Sequence, residues 1–202
     1  MGSIDAVIFD MDGVLIDSER TWAEVRREFT LDHGGHWDEG TDRKMMGMSS
    51  PEWATFMHED LGVPMSADEI VDAVVEEMTK RYRARVPVLP GAVDAVRRLA
   101  GRWPLGLASS ANRPLIDLVL EETGLAAAFA ETRSTEEVAD GKPAPDVYLE
   151  VARLLDAEPA RCAGVRTRPT ASRRSPRPGC GSSPSPTRTS RPRPTSWRQP
   201  TP

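Results

Sequence analysis

Two carboxylates stand two residues apart in Asp10-Met11-Asp12, directly after the apolar run Ala6-Val7-Ile8-Phe9. A short β-branched and aromatic run without polar interruption suits a strand buried on both faces, as in a parallel sheet. Carboxylates at i and i+2 just past such a strand can face the same mouth. One can attack as a nucleophile while the other gives and takes the proton of a leaving group. As hard oxygen ligands, Asp10 and Asp12 also suit Mg2+, which would screen an anionic substrate. A bare D-x-D is by default an acidic turn. Here the strand before it, Gly13 after it and a helical stretch beyond favour the chemical reading.

Two further side chains could join the pair. Ser109 ends the apolar run Leu105-Gly106-Leu107-Ala108, where its hydroxyl can hydrogen-bond a phosphoryl oxygen beside backbone N–H groups of the next helix. Lys142 sits in Gly141-Lys142-Pro143-Ala144-Pro145, a loop stiffened by two prolines that can present a point charge. Taken singly, a serine here is more often a cap and a Gly-Lys-Pro lysine a solvated turn residue. His33-Gly34-Gly35-His36 lacks the extra ligands of a metal site and reads as a loop. Met45-Met46-Gly47-Met48 reads as adaptable packing that borders a ligand.

The elements that must position these groups follow from periodicity. From about Ser18 to Val86 the pattern is helical, best between Asp68 and Tyr82, where Ser66 and Glu69 form an S-x-x-E capping box. No strand alternation interrupts it, so an all-helical insert is expected. Pro87 and Pro90-Gly91 end it. Val93, Val96 and Leu99 then mark a helix, followed by the strand ending at Ser109-Ser110. Asn112 is placed to cap a helix at Pro114–Glu122, which Gly124 closes. Val147, Val151, Leu154 and Leu155 share one face of a further helix, and Cys162-Ala163-Gly164-Val165 begins a last strand. Strands alternating with helices predict an α/β fold, a Rossmann-like doubly wound parallel sheet. Ligands bind such sheets at the carboxyl ends of the strands.

The order D-x-D-G-V, S-S at a strand end, then G-K-P-x-P resembles the haloacid dehalogenase-like hydrolase superfamily, in its branch of phosphosugar phosphatases and β-phosphoglucomutase-like proteins. Phe9 to Glu19, read F-D-M-D-G-V-L-I-D-S-E, carries most of the likeness, and Lys142-Pro143-Ala144-Pro145 adds to it independently. The resemblance covers residues 4–165. It implies Asp10 as nucleophile, Asp12 as general acid/base, Ser109 as phosphoryl anchor and Lys142 as charge clamp, with Asp10 and Asp12 holding Mg2+. It implies a cap of residues 16–87 inserted into a core of residues 1–15 and 88–164. Gly47, Met48 and Ser49 resemble the substrate loop of that cap, and Glu19, Ser110 and Asn112 complete the expected substrate contacts. The implied substrate is a small phosphorylated metabolite, a sugar or polyol phosphate. β-Phosphoglucomutases carry a His and an Arg where this chain has Trp22 and Ser50, which weighs toward hydrolysis rather than phosphoryl shuttling.

Composition divides the chain sharply. Its 202 residues carry 31 acidic and 26 basic side chains. All the acids precede residue 165, whereas residues 165–202 hold nine Arg and nine Pro and almost nothing apolar. Such a segment cannot bury enough surface to offset its entropy and is expected to be disordered. No apolar run approaches the ~20 residues of a membrane span. The start lacks the basic and apolar regions of a signal peptide, and two cysteines make no disulfide framework. A cytoplasmic monomer is the expectation. The acidic body argues against nucleic acid as a ligand; the alternative takes the tail at face value, as a basic arm for nucleic acid or an acidic partner.

The resemblance implies a fourth motif after the last strand, commonly Glu-Asp-Ser-x-x-Gly-Ile, that supplies another Mg2+ carboxylate. This chain has Val165-Arg166-Thr167-Arg168-Pro169-Thr170-Ala171-Ser172. Starting each codon one base earlier lets Thr167 become Asp, Thr170 Asn, Ala171 Gly and Ser172 Ile, and lets an AGG codon at Arg166 become Glu. One consistent spelling yields Glu-Asp-Ser-Ala-Asn-Gly-Ile. Residues from about Arg166 onward therefore read as a frameshifted C-terminus, with weak or absent activity expected from the loss of a carboxylate and of the last strand.

Overall fold

The computed structural model describes residues 4–167. Four strands, β1 (Ala6–Phe9), β2 (Leu105–Ser109), β3 (Glu131–Ser134) and β4 (Cys162–Val165), form one sheet in the order β3-β2-β1-β4, with every pair parallel. Among the described residues the seven α-helices are α1 (Glu19–Asp32), α2 (Thr41–Met45), α3 (Ser50–Glu59), α4 (Ala67–Ala84), α5 (Ala92–Ala100), α6 (Arg113–Glu122) and α7 (Asp146–Leu154). The doubly wound α/β architecture is as expected. No helix among the described residues is long and apolar enough to cross a membrane.

β1 is the pivot. Val7 and Phe9 join a cluster with Leu105, Leu107, Val96 and Leu115, while Ala6 and Ile8 join Val147, Val151 and Ala152 of α7 on the other face. Both faces are covered, which is why the run is apolar throughout. The chain builds outward from β1 through β2 to β3, then returns to lay β4 on the opposite side. That reversal opens a crevice at the carboxyl end of β1, and Asp10 is the next residue. On β2, Gly106 lets α7 approach closely: a Cβ there would lie 2.2 Å from Val151 Cγ1.

Helices α1 to α4 fill the interval between β1 and α5. The chain leaves and re-enters the sheet layer at paired positions. Ile16 bridges Val88, Asp17 N–H donates to Pro87 carbonyl (2.9 Å) and Leu89 N–H to Leu15 carbonyl (2.9 Å). The capping box opens α4: Ser66 N–H donates to Glu69 Oε2 (2.9 Å) and Glu69 N–H to Ser66 Oγ (3.4 Å). Ile70, Val74, Met78 and Tyr82 then form its buried stripe. The insert shares one apolar cluster with the sheet, since Trp53, Met57 and Met78 belong with Phe9 and Leu107.

Periodicity missed β3. Its sequence Glu-Thr-Arg-Ser has no apolar residue and only Ser134 is buried, so it pairs through its backbone at the β2 edge. Val165, which composition puts at the head of the basic tail, is the last residue of β4. The expected disorder of the tail falls almost wholly on residues 168–202, outside the described residues.

Candidate active site

The turn after β1 folds back on itself. Leu15 and Ile16 N–H groups return to Met11 carbonyl, and Gly13 adopts a left-handed φ of 71°. A side chain at 13 would press on Thr167, whose Cγ2 lies 2.9 Å from the position of a Cβ. The turn presents both carboxylates at the sheet's edge. Lys142 Nζ donates to Asp10 Oδ1 (2.7 Å) and to Ala108 carbonyl (3.0 Å), and so ties the proline loop to the ends of β1 and β2. Met11 N–H also donates to Asp10 Oδ1 (2.9 Å). The other oxygen, Oδ2, accepts from the Tyr148 hydroxyl (3.5 Å).

Asp12 lies deeper. Its Oδ1 accepts from the Ser18 hydroxyl, and its Oδ2 lies 3.5 Å from Ser109 Oγ. Burial pushes the Asp12 carboxyl above its ordinary range; Ser18 opposes this, the Asp10 charge adds to it, and Lys142 and Ser109 pull the other way. Burial likewise pushes the Tyr148 hydroxyl up; Asp10 reinforces that shift and Arg166 opposes it. Ser109 is fully buried and accepts from Ala111 N–H (3.0 Å). Asp10, Asp12, Ser109 and Lys142 thus come together.

A cavity of about 530 Å³ opens from Asp12 toward the helices, and Glu19, Gly47, Met48, Ser110 and Asn112 all line it. Asn112 stands at the N-terminus of α6 as predicted, but its side chain makes no cap. Its Nδ2 reaches Glu136 Oε1 (2.5 Å) and Ser50 Oγ (3.3 Å), tying the core to α3, and its buried Oδ1 has no hydrogen-bond partner among the described residues. Ser49 is not on the lining. Its backbone N–H and its hydroxyl both donate to Glu52 Oε2 (2.7 and 2.8 Å), which opens α3, and the cavity is lined by Ser50 instead.

Sequence reasoning assigned no role to several residues that the site contains. Ser18 lies inside the quoted motif and bonds Asp12. Tyr148 falls among the core residues of α7, yet its ring lies 5.1 Å from Lys142 Nζ. Arg26 lines the cavity together with Trp22, Trp37 and Trp53; a Trp-x-x-x-Arg spacing on α1 was the available signal.

The donor set can be tested against Mg2+. Asp10 and Asp12 are two carboxylates, but each already accepts a hydrogen bond from Lys142 or Ser18. Among the described residues no third His, Cys, Asp or Glu completes a cluster, and beyond β4 stand Arg166 and Thr167. As written, these residues do not fit a resident Mg2+.

A family model described as haloacid dehalogenase-like hydrolase matches residues 4–165. The bifunctional riboflavin kinase/FMN phosphatase of Arabidopsis thaliana is 30% identical over 158 residues, 77% of this chain and 41% of that protein. The phosphorylated carbohydrates phosphatase of Thermotoga maritima is 30% identical over 159 residues, 78% of this chain and 74% of that protein. The chain thus spans less than half of the first and about three quarters of the second. Among solved structures, CbbY from Rhodobacter sphaeroides, in complex with phosphate, superposes with a TM-score of 0.70 at 25% identity, over 80% of this chain and 76% of that one.

Proposed function

Because the chain belongs to the haloacid dehalogenase-like hydrolases, we propose that it is built as a phosphatase for a small phosphorylated sugar or polyol. The observation that carries this reading is the contact of Lys142 Nζ with Asp10 Oδ1 at 2.7 Å, at the mouth of the sheet with Asp12 beside it. Lys142 occupies Oδ1, so Oδ2 is the attacking oxygen. It forms a bond to phosphorus as the ester P–O bond breaks, giving an aspartyl phosphate. Asp12, which burial keeps protonated more readily, gives its proton to the departing alkoxide. It then takes a proton from the water that attacks phosphorus, and Asp10 is released with inorganic phosphate. Lys142 and the Ser109 hydroxyl stabilise the charge on the non-bridging oxygens. Trp22 lines the cavity and offers no proton-transfer group, which favours hydrolysis over mutase chemistry.

Under this reading residues 16–87 act as a cap, and residues from about Arg166 onward are a shifted reading frame that has cost the chain its third acid and most of its activity. The test is phosphate release from sorbitol 6-phosphate by the full chain. Slow release, abolished by Asp10→Asn, is expected; release that survives Asp10→Asn would remove Asp10 as nucleophile. Joint Arg166→Glu and Thr167→Asp substitution is expected to raise Mg2+ affinity about tenfold or more in a calorimetric titration, since two carboxylates would join the existing pair. Unchanged affinity would end the frameshift reading of these positions.

A further inference from the structure

Arg26 stands in the wall of the cavity, where Asp42 attracts it but no carboxylate pairs with it among the described residues. Its guanidinium carbon lies 4.8 Å from the Trp22 ring centroid and 5.2 Å from that of Trp53. Both rings offer the guanidinium an aromatic face, and its N–H groups remain for hydrogen bonding. They find none: Nε is buried without a partner, and Arg26 forms no ion pair among the described residues. Burial pushes the group down to about 10 against the attraction of Asp42, so it keeps its charge at neutral pH.

A half-buried cation with an unmet Nε–H is costly, and an apolar side chain would pack against the two tryptophans without that cost. The wall thus offers a cation that its own chain's Asp42 attracts without pairing with it. We propose that Arg26 sets the specificity of this cavity by binding a second anionic group, carboxylate or phosphate, at the far end of the substrate's leaving group. The inference rests on the phosphoryl site proposed above and deepens it. Helix α1 fixes the scale. Ser18, which contacts Asp12, and Arg26 are eight residues apart, roughly 12 Å along the helix axis. A substrate touching both ends has the length of a pentose or hexose skeleton rather than a two-carbon one.

Calorimetric titration of the full chain with inorganic phosphate, sorbitol 6-phosphate, 6-phosphogluconate and fructose 1,6-bisphosphate tests this. At least one doubly anionic compound is expected to bind about tenfold or more tightly than sorbitol 6-phosphate. Which of the two gains assigns carboxylate or phosphate; a gain for both assigns their shared charge. Arg26→Met is expected to bring the ratio near unity and Arg26→Lys to restore part of it, an outcome that a packing role for Arg26 would not produce. Arg26→Gln gives the same reading if the Met variant fails to fold. Equal affinities in the parent chain, or a preference that survives Arg26→Met, would overturn the proposal. If inorganic phosphate binds and the ratio is flat, Arg26 alone is misassigned; if nothing binds, the phosphoryl site falls with it.

Discussion

The two ends of the cavity are built on opposite electrostatic terms. At the carboxylate end the charged groups have direct partners: Lys142 faces Asp10, and the Ser18 and Ser109 hydroxyls face Asp12. At the helical end Arg26 is held by aromatic faces and, though Asp42 attracts it, forms no ion pair among the described residues. The first arrangement keeps reacting groups in place before a substrate arrives, which is what preorganised catalysis requires. The second leaves a cation without an ion pair, which suits discrimination between ligands. On the proposed reading, chemistry falls to the sheet loops and selectivity to the helices between β1 and α5.

The contrast can be broken from either side. The largest effect is expected from Trp53→Ala. Trp53 is almost wholly buried and belongs to the shared apolar cluster, so truncation should cost about 3–5 kcal/mol in urea unfolding and remove the platform under Arg26. Loss of stability with the preference among anions intact would separate the ring from recognition. Lys142→Met acts at the other end. It leaves Asp10 and Asp12 without their cation, and inorganic phosphate affinity should fall about tenfold or more by calorimetry; unchanged affinity would mean that the floor does not bind through its lysine. The smallest effect is expected from Ser49→Ala, which removes one partner of the capping box on α3. A loss of about 1 kcal/mol in thermal unfolding, with phosphate-ester affinity unmoved, would place Ser49 in the helix and not at the ligand.

How much of this was legible in the sequence depends on the range of the signal. The D-x-D pair after an apolar run is local, and so are Lys142 between its prolines and the Ser66/Glu69 box; each was read in place. β3 was not, because Glu131-Thr132-Arg133-Ser134 is an edge strand recognised by its backbone pairing with β2 and has no apolar alternation to betray it. Ser49 and Ser50 were confused for a related reason: one residue separates a capping serine from a lining one, and only the start of α3 sets the phase. Arg26 needed Trp53 from another helix, and Tyr148 needed Asp10 from another strand. Contacts across that much chain leave no periodicity to read.

Gly106 carries no chemistry, yet the site's dimensions depend on it. The missing side chain lets α7 lie close on β2, and Tyr148 sits in the first turn of that helix while Lys142 hangs in the loop leading into it. A single methyl at 106 would act as a shim, lifting the helix and drawing lysine and tyrosine away from Asp10 together. The reach between the Asp10 carboxylate and its counter-charge is thus calibrated by an atom that is absent, on a residue that touches neither.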